Sequence, residues 1–248
     1  MDETNFTTSH ISYDNPYADT MNMKFVRKLP IPRDVKQEYP VPDDLRAVRS
    51  KNVQAIRDVL DSAASCIVTQ PEQLPGMLQA LKAPPKMVVT DSQAFGTVKD
   101  MVPDAIPLTS FSILFARFKG ILDTAVAGVG SIAKLRDGDT VLISEGCTHH
   151  RQCEDIGTVK IPRWLGEMSG KALNFEFTSG AEFPEELGRY ALIVHCGGCM
   201  LNEREMRYRR KCAEDQGVPF TNYGTLIAHR NGILKRSLAI FPEIAAKL

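Results

Sequence analysis

A rhythm of short apolar runs, separated by longer helical or turn-rich stretches, constrains this chain most. Four runs of strand type recur in the second half: "TVLISE" (140–145), "ALNFEFTS" (172–179), "YALIVH" (190–195) and "VPFTNY" (218–223). They are rich in the β-branched and aromatic residues that fit a pleated, buried surface. Between them lie "GTVKIPRWLGEMSG", "PEELGR" and a charged helical segment over 200–217. Strands alternating with helices imply crossover connections and parallel sheets. The first half carries shorter candidates, "CIVT" (66–69), "KMVVT" (86–90) and "IPLTS" (106–110). A helix starts at Phe111, where Phe111, Leu114, Phe115, Phe118 and Leu122 recur at spacings of three and four. The expected fold is α/β: two small parallel-sheet domains with flanking helices, after an irregular N-terminal arm. Residues 1–44, with five Pro and little periodicity, are the arm and linker. The first α/β domain spans 45–130 and the second 131–248, opened by the turn Asp137–Gly138–Asp139.

Charge excludes some partners. Lys plus Arg number 30 and Asp plus Glu number 30, so no net field draws in nucleic acid or an anionic membrane. The start "MDETNFTTSH" is acidic and polar, unlike a secretory or transit signal. No apolar run nears the roughly 20 residues that cross a bilayer. A cytoplasmic location is expected, with neither nucleic acid nor membrane as partner.

The cysteines carry the chemistry. Of six, Cys147, Cys153, Cys196 and Cys199 fall in two tight clusters, "EGCTHHRQC" and "VHCGGCM". In a reducing compartment such clusters argue for metal or catalysis rather than disulfides. Together they read C-x-H (Cys147, His149), a long gap, then H-C-x-x-C (His195, Cys196, Cys199). A Cys-x-x-Cys pair brings two thiolates to one metal centre, and the intervening glycines let the backbone curl. The distant C-x-H completes a site only if the sheet brings both strand ends together. In an open parallel sheet, ligands sit beyond the carboxyl ends of strands where neighbouring crossovers diverge. The strand order 2-1-3-4 in the second set would place the two clusters at such a point. Three Cys and one His suit zinc and an iron–sulfur cluster alike, and spacing leaves both open. A Cys-dependent redox enzyme using Cys196 and Cys199 is a third class, which leaves C-x-H unexplained.

The motif and the surrounding words "VVTDSQAF", "PLTSFSILFARFKG", "EGCTHH", "DIGTVKIPRWL", "FPEELGRYALIVHCGGCMLNEREM" and "GVPFTNYG" resemble HydF, the FeFe-hydrogenase maturation GTPase family. The likeness runs over roughly 45–241. It implies a central dimerisation domain, hence a homodimer, and a C-terminal domain holding a 4Fe–4S cluster. It also implies a scaffold that receives a transient diiron precursor from two radical-SAM maturases and delivers it to the FeFe-hydrogenase apoprotein. Cys147, Cys196, Cys199 and His149 are then the cluster ligands, with His195 as alternative fourth ligand. The family's GTPase domain has no counterpart in these residues, so GTP hydrolysis is not expected and the chain is read as no enzyme. A zinc-stabilised α/β binding module without cargo is the alternative.

Other residues have plainer expectations. His150 supports the site locally and Cys153 is a loop thiol, while Cys66 and Cys212 pack. Arg204, Arg207, Arg209, Arg210 and Lys211 read as a solvated helix face.

Overall fold

Among the residues that the computed structural model describes (55–146, 155–198 and 200–248), six strands form two parallel sheets. The arm over 1–44 lies outside the described residues, as do Cys147, His149, His150, Cys153 and Cys199. The smaller sheet pairs β1 (Val88–Thr90) with β2 (Leu108–Ser110), Val89 facing Thr109. The larger holds β3 (Thr140–Glu145), β4 (Asn174–Ser179), β5 (Leu192–His195) and β6 (Phe220–Asn222). Its order is β4-β3-β5-β6, the 2-1-3-4 arrangement that a meeting of the two clusters requires. β3 and β5 are adjacent, with Ser144 opposite His195.

Ten helices accompany them among the described residues: α1 (55–61), α2 (Leu74–Ala80), α3 (Phe95–Val98), α4 (Phe111–Phe118), α5 (Leu122–Val129), α6 (Ile161–Ser169), α7 (Glu203–Asp215), α8 (Tyr223–Arg230), α9 (Leu234–Ser237) and α10 (Pro242–Ala245). None is long and apolar enough to cross a membrane. The helix starts follow local chemistry. Ser110, Asn202 and Asn222 each turn a side-chain oxygen onto an otherwise orphaned N–H, capping α4, α7 and α8.

The central strands are covered on both faces, so Val141–Ile143 and Leu192–Val194 read as continuous apolar runs and are wholly buried. β6 ends the sheet, yet it is buried because α5 lies directly on it. A Cβ at Gly128 would run into the Phe220 carbonyl, and the Thr221 hydroxyl donates to Ala125 O at 2.8 Å. Only glycine permits that approach. Helices α4, α5 and α8 pack on one another and join the two sheets.

Two expectations need correction. Residues 66–69 are irregular, with Ile67 and Val68 exposed, rather than a strand. Their apolar pattern has no ladder partner among the described residues, and Pro71 opens a 3-10 turn directly afterwards. The apolar stripe from Phe111 also divides. α4 ends at Phe118, and Leu122 belongs to α5. The face of α4 turned inward is Ile113 and Ala116, whereas Phe118 is 71% exposed.

Candidate metal centre

The buried polar side chains gather at the carboxyl ends of the strands. Ser110, Ser144, His195, Thr221 and Asn222 all end or nearly end a strand, and Lys119 and Arg209 reach in from helices. An apolar core tolerates such groups only when they are partnered. Their partners define the site.

Cys196 follows β5 directly and is buried. Its N–H donates to Ser144 O at 2.9 Å, which extends the β3–β5 ladder by one step. Its Sγ accepts two backbone N–H groups, from Gly146 at 3.0 Å and from Gly198 at 3.3 Å. Gly146 immediately precedes Cys147 in the chain, and Gly198 immediately precedes Cys199. Two N–H dipoles aimed at one sulfur favour its thiolate form, the form that binds metal. Gly198 adopts φ +59, and a Cβ there would strike the Met206 sulfur, so both conformation and space require glycine. Among the described residues no group of three or more His, Cys, Asp or Glu is placed to hold a metal ion. Cys196 and His195 are the candidate ligands that fall within them.

His195 is engaged on both ring nitrogens. Nδ1 lies 2.8 Å from Cys196 O and Nε2 lies 3.3 Å from Arg209 Nη1. Arginine has no acceptor, so Nε2 receives the Arg209 proton and Nδ1 carries the proton donated to Cys196 O. The ring stacks on Phe220, with centroids 5.9 Å apart. An imidazole held this way has both ring nitrogens engaged within the protein.

Arg209 departs from the expected solvated run. It is fully buried, with Nε donating to Glu205 Oε1 at 2.7 Å and Nη2 to Gly180 O at 2.9 Å. Nη1 also reaches Ser144 Oγ at 3.4 Å, and the guanidinium lies over the Phe183 ring at 5.1 Å. One side chain therefore ties the carboxyl ends of β3 and β5 to the loop after β4. The rest of the run behaves as expected: Arg207, Arg210 and Lys211 pair along the helix with Glu203, Glu214 and Asp215. The sequence did hold a signal, since position 209 shares a helical face with the buried Met206 and Ala213. Cys66, expected to pack, is exposed, while Cys212 is partly buried against the core.

A second polar pair flanks the sulfur. The Tyr223 hydroxyl donates to Glu145 Oε1 at 3.1 Å. Burial pushes the Tyr223 phenol well above its ordinary range, and the neighbouring Glu145 and Cys196 add to the effect. The phenol therefore stays protonated and remains a donor. Gly157, in the π-helical turn Ile156–Lys160, leaves room for this pair, since a Cβ would overlap both oxygens.

Lys119 was not singled out by sequence reasoning. It is 4% exposed at the end of α4, and its ammonium donates to the carbonyls of Gly198 and, at 2.6 Å, Leu201. Those carbonyls bracket the end of the H-C-G-G-C motif.

Two family models match the chain. Residues 38–120 match the hydrogen maturase F dimerization domain, and residues 123–240 match the hydrogen maturase F tetramerization domain. A search of curated proteins finds no match. Domains of these two kinds mark a chain that oligomerises. Covering 38–240 between them, the two matches make this chain a member of the hydrogen maturase F family, with a part in hydrogenase maturation.

Proposed function

We propose that the chain is an iron–sulfur scaffold and carrier in FeFe-hydrogenase maturation. In this reading the thiolates of Cys147, Cys196 and Cys199 hold a 4Fe–4S cluster, and the imidazole of His149 takes the fourth corner. The observation that carries it is the meeting at the Cys196 sulfur. Gly146 and Gly198, the neighbours of Cys147 and Cys199, both donate N–H to that one atom. Soft thiolates with backbone N–H donors on sulfur are the donor set of iron–sulfur proteins. When bound, the cluster supplies an iron corner at which a diiron precursor can attach and leave. The chain's residues do the rest: Cys196 anchors the sulfur, Arg209 fixes the strand ends, and β5 orients the loop. His195, bonded at both ring nitrogens, supports the case for His149 as fourth ligand.

Under this reading the scaffold works in the cytoplasm, accepts its cargo from two radical-SAM maturases and passes it to the FeFe-hydrogenase apoprotein. It carries rather than catalyses. Anaerobic reconstitution tests the central step. A brown protein with labile sulfide supports the scaffold. A colourless zinc protein would establish the zinc-stabilised module instead, and a metal-free dithiol the redox enzyme.

His149→Ala separates ligand roles. A neutral imidazole binds iron less strongly than a thiolate anion, so this variant should keep its iron count and change its electron paramagnetic resonance spectrum. Complete loss of iron would make His149 a structural anchor, and an unchanged spectrum would remove it from the ligand set.

The assembly is proposed as a homodimer through the first α/β segment. Phe118 is exposed on α4, with Phe111, Leu114 and Phe115 half-buried beside it in the chain, all inside the dimerization match. Phe118→Asp puts a charge on that face and should lower the mass measured by light scattering at micromolar concentration. An unchanged mass with an intact circular dichroism spectrum would move the interface elsewhere.

A further inference from the structure

We propose that the outer edge of β4 is an interface between copies of this chain, at which β4 pairs antiparallel with β4 of a second copy and Phe177 meets its own counterpart. This rests on the oligomerisation that the two family matches mark and is independent of the iron–sulfur reading. The tetramerization match over 123–240 implies contacts between copies and leaves their surface open. Three observations locate one.

First, the larger sheet treats its two edges differently. At β6 the edge is sealed by α5, through the close approach at Gly128 and the Thr221 hydrogen bond. At the other end, β4 has no fully buried residue, and its outer side has no ladder partner among the described residues. Its six residues leave a row of N–H and C=O groups about 20 Å long. Such a row is a template for another strand.

Second, β4 lacks the features that keep an edge strand solitary. The segment "NFEFTS" holds no Pro and no Lys, and it pairs with β3 residue for residue without a bulge. Its one charge is already answered, since Glu176 Oε2 accepts from Arg189 Nη2 at 2.6 Å and from the Tyr190 hydroxyl at 2.7 Å. Phe177 stands 41% exposed, on the same face of the strand as Phe175. An aromatic ring left in water on an open edge gains by being covered.

Third, symmetry selects the register. Two identical chains that close as a pair are related by a twofold axis. An axis perpendicular to the sheet makes the two β4 strands antiparallel and keeps each face on its own side. Side chains alternate with a period of two, so the axis must pass through a residue position. Near the middle of β4 the choices are Glu176 and Phe177. Centring on Glu176 would set two carboxylates opposite each other, which is unfavourable. Centring on Phe177 sets ring against ring, Glu176 against Thr178 and Phe175 against Ser179. The strands' carboxyl ends then point opposite ways in the two copies, so each candidate centre stays on its own side of the joined sheet.

This interface and the one proposed at Phe118 together build a four-chain particle. Phe177→Lys sets two ammonium groups opposite each other and should lower the mass measured by light scattering twofold at micromolar concentration, with circular dichroism unchanged. Combined with Phe118→Asp it should leave single chains. Phe177→Cys is the second variant, which keeps the test open if the lysine variant does not fold. Opposed Cα atoms lie about 4.5–5.5 Å apart, within disulfide reach, so copper–phenanthroline oxidation should link residue 177 of one copy to residue 177 of another, as mapped by peptide mass. A halved mass or a 177–177 link supports the proposal. An unchanged mass in a folded Phe177→Lys protein, with no 177–177 link, would overturn it, and a lowered mass in Phe118→Asp alone would then leave the other interface standing. An unchanged mass with the amides of 174–179 still protected from hydrogen exchange would mean that the same chain covers the edge, and would overturn it too. A folded wild type that runs as single chains would overturn both interfaces.

Discussion

Cys196→Ser, reconstituted anaerobically, should come out colourless, with its iron reduced from about four atoms per chain to near none. The size of the effect follows from position. Cys196 sits at the end of β5, and its sulfur is where the N–H groups of Gly146 and Gly198 meet. Serine's hydroxyl ionises far less readily and is a harder donor, so it replaces neither the charge nor the softness of a thiolate. The same backbone donors would still find an oxygen to bond, so the fold itself should survive. Circular dichroism and thermal melting of the apo protein should therefore change little, which separates a lost ligand from a lost structure. Iron retained near the wild-type level would remove Cys196 from the ligand set.

Arg209→Met should be the most destabilising single change at a charged position of α7. Met fills much of the volume, but it leaves Ser144 Oγ, His195 Nε2 and Gly180 O short of a donor and Glu205 without its partner. Each buried acceptor left unsatisfied costs about 1–3 kcal/mol, about 3–5 kcal/mol for the network together, whereas Glu205, 35% exposed, can rehydrate. For a unit of this size that corresponds to a fall of roughly 6–20 °C in Tm. Lys211→Met, four residues within reach of Asp215 on the exposed side of the same helix, should cost only about 0.5 kcal/mol or less. Comparable losses in the two variants would mean that the buried guanidinium contributes no more than a surface charge. The Arg209 variant also frees His195 Nε2, so its iron spectrum shows whether a released imidazole competes for the cluster.

The strands of the second set were legible because both faces of β3 and β5 are covered. Val141–Ile143 and Leu192–Val194 are apolar at every position, and such runs stand out against their flanks. The adjacency of their carboxyl ends entered only as the condition under which the two clusters could share a site, and the sheet order meets it. Residues 66–69 were misread because β-type composition says nothing about whether a ladder partner exists. Arg209 was misread because a run of basic residues looks solvated until each is placed on the helix. Four of the five carry on into solvent or pair along the surface, and one turns inward. Lys119 was invisible for a different reason. Its burial depends on an approach between α4 and a loop 79 residues away, and nothing local in "ARFKG" encodes it. The inward face of α4 was hidden by its opposite face, because a helix apolar nearly all round does not say which side is core.

If the chain binds the proposed cluster, the β3–β5 pairing makes metal uptake a readout of completed folding. Between Gly146 and Cys196 lie α6, β4 and the loop that Arg209 later clamps, so the two halves of the centre are 50 residues apart in the chain. Neither half alone presents three thiolates, and parallel neighbours form late because closing their long connections costs entropy before contacts compensate. A nascent chain released before β5 lacks both Cys196 and Cys199. On the iron–sulfur reading, a cluster would then bind only molecules whose sheet is already correct, a check on folding that requires no second protein.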